Sequence, residues 1–242
     1  MQATDFEFRY RFFIIGACYW VPFWLYQVDR VNAGTAMGKW IAGHTSLGSD
    51  PSIRLVFAVG ALLCIATALL RTWASSYLQS NVVHDTRLHS ETLVADGPYR
   101  FVRNPLYLGN MLLALGMGVM ASRLGFAVMV LGNLFVLYRL IRREETQLLA
   151  SQGESFRRYL NAVPRLVPSL SPKVPASGAR PSWPQAILGE TFMWAFAAAA
   201  TVFAITTNIK YWYIMMAASM PLYAISVLLL RRKSHARESR VL

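Results

Sequence analysis

Residues 104–138 read NPLYLGNMLLALGMGVMASRLGFAVMVLGNLFVLY, two apolar arms joined at Ser122-Arg123, with Arg123 the only charge. A helix that crosses the hydrocarbon of a bilayer needs roughly 20 mostly apolar residues. The stretch therefore reads as a helical hairpin in a membrane. Gly116 and Gly118 lack the preceding strand and phosphate loop of a nucleotide motif and read as packing glycines.

The same pattern recurs on both sides. Uncharged runs lie at 12–28 (FFIIGACYWVPFWLYQV), 55–70 (LVFAVGALLCIATALL), 191–209 (TFMWAFAAAATVFAITTNI) and 211–230 (YWYIMMAASMPLYAISVLLL). Only 15% of the residues are charged, where a soluble domain carries about a quarter. The expected fold is an all-α, polytopic integral membrane protein of about six transmembrane helices. Gln27-Val28-Asp29-Arg30 follows the first run in place of a small-residue cleavage site, so that run is expected to be a retained helix. Cys18 and Cys64 lie within apolar runs and read as small core residues.

The net charge of +12 is a matter of placement. With a cytoplasmic amino terminus and six crossings, the cytoplasmic segments hold two Lys/Arg before the first helix, four in 71–103, eight in 139–185 and five after 230. Five remain for the other face: Arg30, Lys39, Arg54, Arg123 and Lys210. Positive residues accumulate on the cytoplasmic side. Both termini are thus expected there, with attraction to anionic membrane lipids and no nucleic-acid partner. Four expected units follow: a core at 1–170, a Pro/Ser/Gly-rich linker at 171–185, an appended transmembrane hairpin at 186–230 and a basic tail at 231–242. Gly153 is expected to divide the cytoplasmic segment after the fourth run into two helices.

Two clusters carry chemistry. The first is Asp96-Gly-Pro-Tyr99-Arg100-Phe-Val-Arg103-Asn104-Pro105-Leu106-Tyr107. Pro105 suits the first turn of a helix and Asn104 its N-cap, which sets a positive dipole end beside Arg100 and Arg103, a place for an anion. The bland reading is interfacial anchoring by Arg and Tyr. The second cluster is Arg142-Arg143-Glu144-Glu145. Its bland reading is a solvated helix face; its functional reading is a carboxylate for sugar hydroxyls or an ammonium. The four histidines show no metal-ligand spacing, and no metal site is expected.

These two blocks, from Glu91 to Gly109 and then Glu144-Glu145, Gly153, Tyr159 and Val163-Pro164-Arg165, resemble the isoprenylcysteine carboxyl methyltransferase and membrane phospholipid methyltransferase family. The resemblance implies S-adenosylmethionine as cofactor and a lipidic or prenylated acceptor from the bilayer. It implies cofactor contacts from Thr92, Leu93 and Val94, from Tyr99, from Asn104, Pro105, Leu106 and Tyr107, from Glu144, and from His84. Arg103 suits the cofactor carboxylate, and Tyr99 or Tyr107 the sulfonium by cation–π attraction. The substrate arginine of the family falls at Arg139 or Arg142. Many relatives have His where this chain has Asn104, so a proton-transfer role there does not carry over; an acceptor needing a base would find Glu145. Carboxyl O-methylation is the expected reaction, with lipid N- or O-methylation the alternative. An NADPH-dependent membrane reductase and a non-enzymatic scaffold are the other readings. The sequence leaves the oligomeric state open.

Overall fold

The structure is a computed structural model that describes residues 2–84 and 95–238, with side chains described outside 79–84 and 230–238. All regular structure among the described residues is helical. A short α1 (Asp5–Arg9) leads into α2 (Arg11–Trp24), which tightens to a 3₁₀ turn at Leu25–Gln27. Then follow α3 (Ala33–His44), α4 (Ser49–His84), a 3₁₀ turn at Gly97–Arg100, α5 (Pro105–Gly118), α6 (Arg123–Ala162), α7 (Trp183–Gly189), α8 (Thr191–Thr206) and α9 (Ile209–Glu238). The last helix continues through Glu238, so the basic tail begins as helix.

Among the described residues three helices are long and apolar enough to cross a membrane: Ser49–Leu78 of α4, α6, and Ile209–Leu229 of α9. A fourth crossing results if α7 and α8, bent by 63° between them, form one span. Helix length thus supports three to four spans where the apolar runs suggested six. The reason is local. The first run gives up its α-helix at Trp24 to the 3₁₀ turn. In the third run, residues after Gly118 leave the helix to bond the chain before α3: Ala33 N–H donates to Ala121 C=O and Gly34 N–H to Val119 C=O, both at 2.9 Å.

Those bonds define one end of the bundle. There Asn32 donates to the carbonyls of Val119, Met120 and Ala121, Tyr26 donates to Met120 C=O at 2.7 Å, and the Ser122 hydroxyl caps α6 at Gly125 N–H. The opposite end carries the start of α5, the polar half of α6 and the α7–α8 bend. Helix α4 is the common wall, packed on α3, α5, α7 and α8. One apolar core joins Phe57, Ala61, Cys64 and Ala68 of α4 with Leu113 and Met117 of α5, Met129 of α6, Ala197, Ala199 and Ala200 of α8 and Trp212 of α9. The C-terminal hairpin shares that core. At the α4–α5 crossing, Gly60 and Gly116 let the backbones meet: a Cβ on Gly116 would lie 2.6 Å from Gly60 C=O and 2.8 Å from Cys64 Sγ.

Gly153 breaks α6 as its sequence suggested, with φ +57°. The linker is bonded along the 96–101 segment. Lys173 N–H donates to Arg100 C=O, Arg100 Nε to Val174 C=O, and Ser177 and Ala179 N–H to the Asp96 carboxylate. Burial raises the Asp96 pKa, but these donors, the Ser177 hydroxyl and Arg100 outweigh it and hold the carboxyl below its ordinary range.

The close crossing predicts that Gly116→Ala costs about 1–3 kcal/mol, as overpacking does where backbone must move. A lowered unfolding midpoint in mixed detergent micelles would show it; an unchanged midpoint would mean α4 and α5 do not touch there.

Candidate active site

Helix α5 opens at Pro105 because proline supplies a preset φ and lacks an N–H that would have no partner. Asn104 stands at the N-cap position, but its side chain makes no capping bond. Instead its amide donates to Glu145 Oε1 at 3.4 Å and to Arg165 C=O at 3.1 Å. The expected Asn cap is therefore not the one formed: the carboxylate on α6 competes successfully for that amide. The first-turn N–H groups of Leu106 and Tyr107 stay without a side-chain cap.

Glu145 is buried and surrounded by donors. Arg103 Nε reaches Oε1 at 3.1 Å, and Arg165 Nη2 reaches Oε2 at 2.7 Å, with Arg165 Nε touching both oxygens. Arg103 also donates through Nη1 to Val163 C=O at 2.6 Å and to Leu160 C=O, while its own N–H bonds Pro164 C=O at 2.8 Å. One guanidinium thus closes the open carbonyl end of α6 and the carboxylate at once. The Glu145 hydrogen bond holds the Arg165 proton more tightly than usual.

Glu144, one residue earlier, faces a different neighbour. Tyr107 Oη donates to Glu144 Oε1 at 2.6 Å. Tyr107 packs with Met111 against Ala3, Leu137 and Leu140. Tyr99 is buried beneath the Tyr159 hydroxyl, which donates to Tyr99 C=O at 2.8 Å. Burial first of all pushes the Tyr99 phenol pKa up; Arg71, Glu190 and Glu144 all lie within electrostatic reach of it. Gly97 permits this burial: at φ +56° it sits where a Cβ would be 2.3 Å from the Tyr77 ring.

The structure thus brings Tyr99, Arg103, Asn104, Pro105, Leu106, Tyr107, Glu144 and Glu145 to one end of α5 and α6. Neither of the two arginines named for substrate pairs with Glu144 or Glu145. Arg139 is buried and paired through Nε and Nη2 with Glu7 of α1, at 3.1 and 2.7 Å. That hydrogen bond, then the Thr4 N–H, lowers the Glu7 pKa to about 2. Arg142 is exposed, its guanidinium 6.0 Å from the Tyr138 ring centre, and Arg165 lies over the same ring at 5.5 Å. Thr92, Leu93 and Val94, and the side chain of His84, lie outside the described residues. Among the described residues no three metal-ligating side chains gather.

Sequence reasoning passed over a second ion pair. Arg71 of α4 meets Glu190, at the α7–α8 bend, through Nε and Nη2 at 2.8 and 3.2 Å. Ser75 donates to the same carboxylate, and Arg71 Nη1 reaches Asn110 Oδ1 at 2.9 Å and Leu106 C=O at 3.3 Å. The signal was present: one cation and one acid, each abutting an apolar run on the same side.

Residues 55–152 match the phospholipid methyltransferase family profile. The chain is 34% identical over 169 residues to a protein-S-isoprenylcysteine O-methyltransferase of Schizosaccharomyces pombe, covering 63% of this chain and 68% of that protein. It is 28% identical over 144 residues to a cobalt-zinc-cadmium resistance protein of Cupriavidus metallidurans, covering 60% and 63%. A nickel-cobalt-cadmium resistance protein of Alcaligenes xylosoxydans xylosoxydans is 26% identical over 142 residues, covering 59% and 63%. The chain thus spans under two thirds of the length of the two metal-resistance relatives. No solved structure matches it.

Removing the Glu145 carboxylate would leave Arg103 and Arg165 facing each other unpaired. Glu145→Ala is expected to destabilise the protein by about 3 kcal/mol, the low end for breaking a buried pair because Arg165 is partly exposed. Glu144→Ala should cost clearly less. Equal losses in thermal unfolding would dismiss the ion-pair lock.

Proposed function

This chain belongs to the membrane methyltransferase family that includes protein-S-isoprenylcysteine O-methyltransferase, and from that premise we propose that it transfers a methyl group from S-adenosylmethionine to a lipidic or prenylated acceptor in the bilayer. The observation that carries the reading is the Tyr107–Glu144 hydrogen bond of 2.6 Å. It sets the opening turn of α5 and the acidic pair of α6 close enough to share one small molecule.

The residues present fit the cofactor. The uncapped N–H groups of Leu106 and Tyr107 suit its carboxylate, since a helix N-terminus favours an anion. Glu144 suits its ribose hydroxyls or ammonium, and the Tyr107 and Tyr99 rings suit a sulfonium. Arg103, expected as a carboxylate ligand, acts here by holding Glu145 and the end of α6. When bound, the cofactor supplies an electrophilic methyl group. The protein's contribution is alignment and exclusion of water, because an in-line displacement gains chiefly from positioning.

The proton inventory favours a carboxylate acceptor. Glu145 accepts from Arg103, Asn104 and Arg165, and one Glu144 oxygen from Tyr107. A general base needs an open lone pair aimed at its proton, and Glu145, the base considered from sequence, has its oxygens filled. A carboxylate needs no base, only a cation to hold it. Arg142, exposed beside the acidic pair, is placed for that; Arg139 is engaged by Glu7.

Six crossings with both termini cytoplasmic complete the proposal. Support comes from the Lys/Arg asymmetry and from α2, α4, α5, α6, α8 and α9 running between the same two ends. Single cysteines at Lys39 and Arg157 in a chain lacking Cys18 and Cys64 would test it. An impermeant maleimide should label the first only from outside and the second only from the cytoplasm; labelling from one face alone rejects the arrangement.

Purified protein should bind S-adenosylhomocysteine by isothermal calorimetry. Glu144→Ala should weaken binding roughly ten- to hundredfold, as loss of a hydrogen bond to a charged group does. No binding by the native chain would end the methyltransferase proposal; native binding unchanged in the variant would move the site elsewhere.

A further inference from the structure

Arg11 opens α2 at the level where α5 begins. The two helices run parallel: Tyr19 Oη donates to Asn110 C=O at 2.6 Å and Tyr26 Oη to Met120 C=O at 2.7 Å. Arg11 precedes Tyr19 by about 12 Å of helix, and the same rise back from Asn110 reaches the opening turn of α5. The neighbouring side chains agree with that level. Ile15 lies one turn on from Arg11 in α2, and the Phe8 ring lies beneath the Arg11 guanidinium at 4.5 Å. Both pack in the cluster that holds Tyr107, Met111, Leu137 and Leu140. The Arg11 charge accordingly lies within electrostatic reach of Tyr107 and Glu144.

This cation has no anion of its own. The acids of its own segment are engaged by α6, Asp5 with Arg143 and Glu7 with Arg139. Arg11 Nη1 donates to Phe8 C=O at 3.1 Å, and the Phe12 ring lies 4.8 Å from the guanidinium. Among the described residues it forms no ion pair, whereas Arg71, Arg103, Arg139, Arg143 and Arg165 at the same end each meet a carboxylate. Helix stability does not account for its position. The first turn of α2 holds no acid, and a cation there opposes the helix dipole. Glu144 is the converse case, a carboxylate whose one partner is the neutral Tyr107.

We propose that Arg11 and Glu144 grip the amino-acid end of S-adenosylmethionine, Arg11 its carboxylate and Glu144 its ammonium; the inference rests on the methyltransferase reading. A guanidinium and a carboxylate that face each other unpaired complement a ligand carrying both charges at one end. The planar fork of an arginine also matches a carboxylate by two parallel hydrogen bonds. Glu144 is thereby assigned to the ammonium and not to the ribose hydroxyls. Arg11 lies before residues 55–152, the part matched by the family profile, so the amino-terminal helices take part in cofactor recognition.

The test is isothermal calorimetry on purified native protein, Arg11→Gln and Arg11→Lys with three ligands. S-Adenosylhomocysteine carries both charges, S-adenosyl-3-thiopropylamine lacks the carboxylate, and 5′-methylthioadenosine lacks the whole amino-acid end. Native protein should prefer S-adenosylhomocysteine to the thiopropylamine. Arg11→Gln should weaken S-adenosylhomocysteine roughly ten- to hundredfold, as loss of a hydrogen bond between charged groups does, and leave the other two ligands as they were. Arg11→Lys should fall between, keeping the charge without the fork. Weakening of all three ligands alike in Arg11→Gln would overturn the proposal, because Arg11 would then merely support the fold. Unchanged S-adenosylhomocysteine affinity in that variant would overturn it too, and would leave the methyltransferase reading standing. Native protein that binds none of the three would end that reading, and the proposal with it.

Discussion

The carboxylate of Glu145 is the group on which the end of the bundle at the start of α5 depends. Two guanidiniums and an amide converge on it from two parts of the chain: Arg103 and Asn104 before α5, and Arg165 beyond α6. A charge withdrawn from water is costly unless its partners are close and its hydrogen bonds complete. Here they are, and the consequence is geometric. The opening turn of α5, the acidic pair of α6 and the chain that returns after Gly153 are held in one arrangement. Because Glu145 has this task, Glu144 keeps a single neutral partner, Tyr107, and is the carboxylate with capacity for a ligand.

A second lock of the same type sits across α4. Arg71 and Glu190, with Ser75 and Asn110, fasten the C-terminal hairpin to the helix that backs the active site. Together with the shared core at Ala197, Ala199, Ala200 and Trp212, this makes the hairpin one wall of the molecule.

The catalytic chemistry implied is modest in its demands. The carboxyl methylation proposed above needs no proton moved, and the hydrogen bonds around Glu145 leave it no room to move one. The N-terminal segment adds a further constraint: Glu7 and Asp5 pair with Arg139 and Arg143, so α1 is tied to the same stretch of α6 that carries the acidic pair.

Much of this was legible in the residues themselves. Uncharged runs without periodic polarity announce membrane helices, since backbone polar groups in hydrocarbon must bond internally. Pro105 marks the start of α5, and Gly153 the break in α6, because their backbone preferences are local. The pairing of the 96–107 block with Glu144-Glu145 followed from resemblance. Three matters were decided only by tertiary structure. Whether Asn104 caps its own helix or bonds Glu145 depends on a competitor 41 residues away. Whether an arginine near the acidic pair is free, as Arg142, or engaged, as Arg139, depends on where α1 folds back. And helix length by itself supports three to four spans because residues 119–123 bond 31–34 instead of extending a helix. Local preference is written along the chain, whereas partners for charges and carbonyls are settled by distances that only packing sets.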